Sequence, residues 1–331
     1  MHKTRKTVLP YELNVESIAY QNEAFSLGIL KANIQDYDCW LCNKCINFYA
    51  SPLNKLFSIY EEDLWSCQDG LMTYREKKFA SESFHLDCLK IVEENKCMLD
   101  NGWYIFGVYN EFFIPRKKVY HKRDFIHGYM IVGYDDETQT FKSAGYLADG
   151  HYQFFDIHYK DYFNSILGEN CEHLWIRYYK INPSYKPQLD INHLKSRLEK
   201  YLTSQKDTPA ENDNHTYGIA TLKMFQQNIA SCNDNYLDLR HGRSFMEHKC
   251  IMYKRLVFLR QNSYIQDDAI CQEYLEKVYS KARIVFNLFM KYNITQNRDL
   301  LKHISEMVYM INKTEKTLLE IVIKELLSSA T

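Results

Sequence analysis

His127 and Asp149 stand near opposite ends of what reads as one β-hairpin, in which FIHGYMIVGYDD (125–136) and FKSAGYLADG (141–150) flank the polar turn DDETQ. If that turn centres on Glu137 and Thr138, facing positions sum to about 275, which sets His127 opposite Ala148 and brings Asp149 within reach, to within about one or two residues of register. A carboxylate beside an imidazole fixes the ring's tautomer and stabilises the imidazolium formed when it takes a proton. Such a pair is the orienting half of a nucleophilic triad. The plainer reading is a histidine at a strand end with a turn aspartate next to it.

Sulfur offers the other reactive group. Cys39, Cys42 and Cys45 form a C-x2-C-x2-C run, but no fourth ligand follows at short spacing and the next thiol is Cys67. A closed zinc or iron–sulfur site needs four donors, so the run reads as a row of partly buried thiols on one helix, and no metal is expected. Cys39, followed by Trp40, is a competing nucleophile by type. The segment IPRKKVYHKRDFIH gathers Arg116, Lys117, Lys118, His121, Lys122 and Arg123 just before His127, a charge pattern suited to an acidic carrier protein or a phosphopantetheine phosphate, or to a merely solvated loop. Trp103, Tyr104, Phe112 and Phe113 alternate as sheet-core residues do, although some could line an aryl pocket. Glu247, His248 and Lys249 are consecutive, so on a helix they face different ways and suit inter-helix bonding, not catalysis.

The elements that must position these groups fall into two regions. Residues 16–30 read as a helix with Asn14 or Ser17 as its cap, and 81–99 as another. Runs at 103–114, 125–134, 141–147, 152–158 and 174–181 are rich in aromatic and β-branched residues and read as an antiparallel sheet, with a short helix at 161–167. Nine of the 11 glycines, all four tryptophans and five of the six prolines lie before residue 190, and the composition shifts at INPSYKPQLD (181–190). The boundary is placed there, giving domains 1–185 and 186–331. Helices are expected over 191–204, 218–230, 243–261, 267–292, 298–310 and 314–327, with SQKDTPAENDNH (204–215) as a loop. The fold class is therefore α+β followed by an all-α domain.

Composition narrows function by exclusion. With 331 residues, 46% of them hydrophobic, the chain has the length for two globular domains of roughly 150 residues each. Forty-one Lys plus Arg against 42 Asp plus Glu give a net charge of −1, which calls for no nucleic-acid partner and no membrane surface. No apolar run reaches the roughly 18 residues of a membrane span, and the basic N-terminus lacks an apolar stretch behind it, so a cytoplasmic location is expected and the ten cysteines are read as free thiols.

The segments around His127, together with YGIATLKMFQQNI (217–229) and LRHGRSFMEHKCIMYKRLVFL (239–259), resemble the papain-like, peptidase C39-related family typified by the N-terminal domain of butirosin biosynthesis protein H. AYQNEAFSLGIL (19–30) resembles that family's nucleophile helix, where Cys-Tyr begins a similar run; here the cysteine position is Ala19. The resemblance implies a papain-like domain, helices packed on an antiparallel sheet, whose members move an acyl group from a carrier-protein thioester to the enzyme cysteine and on to an amine. An acyl group such as p-hydroxybenzoyl, an acyl or peptidyl carrier protein as partner, no cofactor beyond that partner's phosphopantetheine, and a helical domain that helps form either a homodimer or the carrier-docking surface would follow. His127 would be the base, Asp149 its orienter and position 19 the nucleophile. The backbone N–H of residue 19, with Asn14 or Gln21 as second donor, would form the oxyanion hole, although the usual Gln ahead of the nucleophile is missing from NVESIA (14–19).

An alanine cannot form an acyl-enzyme. Two explanations fit it: a cysteine exchanged for alanine to trap an inactive form, or a natural pseudoenzyme. The alternative activities are a papain-like peptidase or amidase that delivers the acyl group to water, and a noncatalytic module that binds a carrier protein.

Overall fold

The computed structural model describes residues 5–51, 56–59, 70–78, 88–167, 175–206, 214–230, 232 and 236–328. Among them ten strands follow in chain order: β1 (Lys6–Val8), β2 (Phe48–Ser51), β3 (Leu56–Ile59), β4 (Met72–Lys78), β5 (Tyr104–Asn110), β6 (Ile126–Asp135), β7 (Thr140–Tyr146), β8 (Tyr152–His158), β9 (Trp175–Ile181) and β10 (Thr216–Tyr217). The chain divides into two units, the first formed by Met1–Gln35 and Trp65–Tyr185, the second by Asp36–Leu64 and Lys186–Thr331. No helix among the described residues is long and apolar enough to cross a membrane.

The first unit is an antiparallel sheet in the order β4-β9-β5-β6-β7-β8, with β1 added against β6. Its central strands β5, β6 and β7 are buried along most of their length. Tyr109, Tyr129 and Tyr162 pack together, the first two rings stacked with centroids 3.9 Å apart, while Phe25 of the Gln21–Asn33 helix meets Phe106 of β5 at 5.2 Å. Gly133 lies beside a register shift between Ile131 and Gly133. A Cβ there would stand 2.5 Å from the Thr7 carbonyl, so only glycine lets β1 approach β6. β1 and the charged β4 carry little of the alternation that marks the other strands.

The helix expected from residue 16 begins at Gln21. Tyr20 is extended, and the preceding segment is held by other bonds: Tyr146 Oη donates to the Ile18 carbonyl, and Glu16 pairs with Lys31 at 3.0 Å. Residues 81–87, the first part of the other expected helix, lie outside the described residues, which resume with the helix Cys88–Asp100.

The second unit is helical with a small sheet in the order β10-β2-β3. Its membership corrects the sequence-based division, since 36–64 belong with the helices after 186. β2 pairs with β10, the Thr221 hydroxyl donates to the Phe48 carbonyl, and the buried Arg255 guanidinium donates to the carbonyls of Leu41, Cys42 and Lys44. The Arg255 bonds supply donors to carbonyls at the end of the Tyr37–Asn43 helix, of which that of Leu41 also accepts from the Lys44 N–H. The helices Ile191–Thr203, Gly218–Ala230 and Leu239–Gln261 lie within a few residues of their expected bounds. The expected 267–292 helix runs without interruption from Asp268 to Thr295, its α-helical turns Asp268–Tyr274 and Ser280–Thr295 joined through a π-turn at Leu275–Tyr279 whose flanking residues are right-handed helical. The two expected after 298 are one helix, Asp299–Ser328, because INKT (311–314) holds neither glycine nor proline and Ile311, Leu318 and Leu319 continue one buried face.

Candidate active site

The loop between β5 and β6 is closed at its neck by one side chain. Asn110, the last residue of β5, accepts from the backbone N–H groups of Phe112 and Phe125 and donates to Asp124, while Glu111 N–H donates to the Phe125 carbonyl. The pairing sets Tyr109 opposite His127, so Glu111, in the short 3-10 turn that follows, is the diagonal neighbour of His127. Its Oε1 lies 3.0 Å from His127 Nδ1.

Asp149 does not take that place. β7 ends at Tyr146, and the Asp149 carboxylate is turned into its own loop, accepting from His151 N–H and Gln153 Nε2, both at 2.9 Å. These local bonds hold its carboxyl below the usual range. The hairpin register was close to the arithmetic, with Met130 opposite Ala144 and Ile131 opposite Ser143, but the carboxylate comes from the other neighbouring strand. A 14-residue connection separates Glu111 from Ile126, and turn-centred counting has no purchase on a loop of that length.

Lys117 is buried, not part of a docking rim: its side chain is 2% exposed and that of Glu111 8%. Its Nζ lies 3.0 Å from Glu111 Oε1, donates to the Tyr146 carbonyl at 2.7 Å and sits 5.0 Å from the Phe155 ring centroid. Burial pushes the Glu111 carboxyl up, yet the His127 hydrogen bond and the Lys117 charge bring it below its usual range. Burial likewise pushes the Lys117 ammonium down, against the pull of Glu111. The two partners thus shift in ways that reflect one near-balanced buried pair, whose weight lies in the cost of removing either member. Arg116, Lys118, His121, Lys122 and Arg123 are exposed, and Arg123 lies 5.4 Å from the ring centroid of exposed Phe125.

The other edge of the imidazole faces the first residue of the Gln21–Asn33 helix. Gln21 Nε2 lies 3.0 Å from His127 Nε2 and donates to the Gly128 carbonyl at 2.6 Å. Turning the carboxamide over would set two oxygens 2.6 Å apart, so the nitrogen is the end that faces both acceptors. His127 Nε2 is therefore an acceptor and Nδ1 carries the proton to Glu111, the tautomer in which a histidine can act as a general base. Gly128 permits this packing: a Cβ there would stand 2.9 Å from the Phe106 ring and 3.6 Å from Gln21 Nε2.

Ala19 is buried two residues before the helix begins, and the group that meets the imidazole is the carboxamide of Gln21. Both Nε2 hydrogens of Gln21 point at protein acceptors, so as it stands this side chain is not an oxyanion donor. Asn14 is exposed, its carbonyl accepting from Lys31 Nζ at 2.6 Å. Cys39 and Trp40 lie on the Tyr37–Asn43 helix of the second unit. Burial raises the Cys39 thiol and pushes that of Cys42 up to about 12, the opposite of what a nucleophilic thiolate needs. Among the described residues no group of three or more metal-ligating side chains could hold an ion, and Cys67 lies outside them. In the second unit Glu247 pairs with Arg243, His248 meets the Ile46 carbonyl, and the buried Lys249 pairs with buried Glu315 at 2.7 Å and donates to Tyr201.

No family model matches the chain, and a search of curated proteins finds no match.

Proposed function

We propose that the first unit is a papain-like acyl-transfer site of the amide-forming kind, in a form that lacks its thiol and therefore holds a carrier-bound acyl group without turning it over. The observation that carries this reading is the imidazole of His127, oriented by Glu111 on one edge and facing the first turn of the N-terminal helix with the other. That is where a general base must stand to deprotonate a nucleophile presented by a helix start, and the helix dipole favours a thiolate there. In a thiol-bearing form, His127 would take the thiol proton, the thiolate would attack the carrier thioester, and the imidazolium would return that proton to the departing phosphopantetheine sulfur; an amine would then attack the acyl carbon and displace the enzyme thiolate, its proton passing through His127 to the sulfur. The exposed cations Arg116, Lys118, Lys122 and Arg123 suit an acidic carrier protein.

The test is intact-protein mass after incubation with acylated carrier protein, p-hydroxybenzoyl among the acyl groups, for the chain as it stands and for Ala19→Cys and Gln21→Cys. One cysteine variant should gain the mass of the acyl group and pass it to an added amine, while the unsubstituted chain binds carrier and gains nothing. Free acid without amide would make it a peptidase or amidase. Absence of both adduct and carrier binding would end the reading. A purely binding role is favoured by one observation, that Gln21 already engages His127 Nε2; it would be established by carrier binding with no acylation of either cysteine variant.

A further inference from the structure

The carboxamide nitrogen of Gln21 lies against two acceptors from one strand, His127 Nε2 at 3.0 Å and the Gly128 carbonyl at 2.6 Å. Both are fixed by bonds that do not involve Gln21, the imidazole through Glu111 and the carbonyl through the sheet. Apart from water, which also has two hydrogens to give, only a nitrogen bearing two or more hydrogens satisfies both. An alcohol or thiol has one hydrogen to give and would leave one acceptor open, and a carboxylate or other oxyanion would be repelled by both. The other end of the side chain fits less well: Gln21 is buried, and its Oε1 has no hydrogen-bond partner among the described residues. A buried acceptor without a donor carries a desolvation cost, so the pocket suits the nitrogen of its occupant and not the oxygen.

We propose that His127 Nε2 and the Gly128 carbonyl form a seat for a primary amine, and that the Gln21 carboxamide is its built-in occupant. An amine nitrogen placed there would give one N–H to the carbonyl and another to the ring, without burying an unmatched oxygen. Its biological sense rests on the amide-forming reading above, in which this is the place of the acceptor amine before it loses a proton to His127. The half-exposed imidazole provides the approach. Withdrawal of Gln21 is the step that would admit the amine, and the unmatched Oε1 lowers what that withdrawal loses.

The experiment uses the full chain and methylammonium alone, with no acyl donor, so its failure is separate from failure of the acyl-transfer reading. Gln21→Ala removes the carboxamide and leaves room for a two-atom ligand; Gln21→Asn, one methylene shorter, draws the amide back and guards against a folding defect in the first variant. Binding is followed during titration by the Gly128 carbonyl carbon signal in every variant, and by the ring nitrogen signals of His127 where that residue is present. Either variant should bind methylammonium at least about tenfold more tightly than the unsubstituted chain, and this gain should vanish when His127→Phe is added. Tetramethylammonium, which has no N–H, should not bind. Equal affinity in the unsubstituted and substituted chains, a gain that survives His127→Phe, or equal binding of the two cations would each overturn the proposal, the last by making the site a cavity that reads charge alone.

Discussion

Lys117→Met tests whether the orientation of His127 depends on the buried ammonium behind Glu111. The exchange keeps the length of the side chain and removes the donor that Glu111 Oε1 and the Tyr146 carbonyl share, at a position where both charged side chains are under a tenth exposed. Removing one member of a buried pair costs about 3–5 kcal/mol; because Glu111 keeps His127, whose ring is partly open to water, the lower end, about 3 kcal/mol, is expected. For a unit of this size that corresponds to a midpoint lowered by about 6–12 °C. The pH dependence has a defined sign. In the unsubstituted chain the Glu111 carboxyl is held below its usual range, so its contribution is full above the unfolded pKa of about 4.3 and is lost as pH falls through the folded value. Without Lys117, burial dominates and pushes that carboxyl up, so the deficit should be greatest near neutrality and shrink toward pH 4 as Glu111 protonates. A two-unit chain need not unfold in one step, so the measurement is amide hydrogen exchange in β5 to β8 at several urea concentrations, with Glu111→Gln and the double variant completing a cycle. A deficit under about 1 kcal/mol, one that is flat from pH 4 to 7, or additivity of the two substitutions would refute the argument.

Gly133→Ala should free β1 from the sheet, because its Cβ would meet the Thr7 carbonyl at 2.5 Å; a loss of about 1–3 kcal/mol is expected, with exchange at Lys6 to Val8 accelerated before the rest of the unit, and unchanged exchange there would contradict it. In the second unit Lys249→Met leaves Glu315 buried without its counter-charge, retaining the hydroxyls of Tyr201 and Tyr274, and should lower stability by about 3–5 kcal/mol; a stable variant, judged by urea unfolding of the helical signal, would show that the two hydroxyls suffice.

What could be read from the sequence was what depends on local pattern. The strands with aromatic and β-branched alternation, β5 to β9, fall within a few residues of their expected bounds, and the β6–β7 register follows from the length of a short turn. What escaped depends on distant neighbours. β4 reads MTYREKK, a strand only because β9 pairs with it, and the 36–64 segment joins the second unit through a carbonyl clamp supplied by Arg255 about 200 residues later. At the site, His127 was visible as a strand-end imidazole. Glu111 was hidden by the long loop, although an Asn-Glu pair directly after a strand, where Asn can cap the turn and Glu can point back along the sheet, was a signal in principle. Lys117 was hidden among four exposed cations whose composition it shares and whose environment it does not.

Among the described residues β4 ends the sheet path on one side, and its run Thr73 to Glu76 is exposed, with Glu76 bound to Arg177 of β9 at 2.6 Å. An open strand margin is a template on which a second chain can add its own backbone, and the usual outcome in a concentrated solution is fibrous or amorphous self-association. The consecutive Arg75, Glu76 and Lys77 of this margin force any incoming strand to strip water from several charges at once. The charged residues that set β4 apart from the strands expected from sequence are thus the ones that keep an otherwise sticky border quiet, and neutralising them would be expected to shorten the shelf life of the protein before it altered the chemistry around His127.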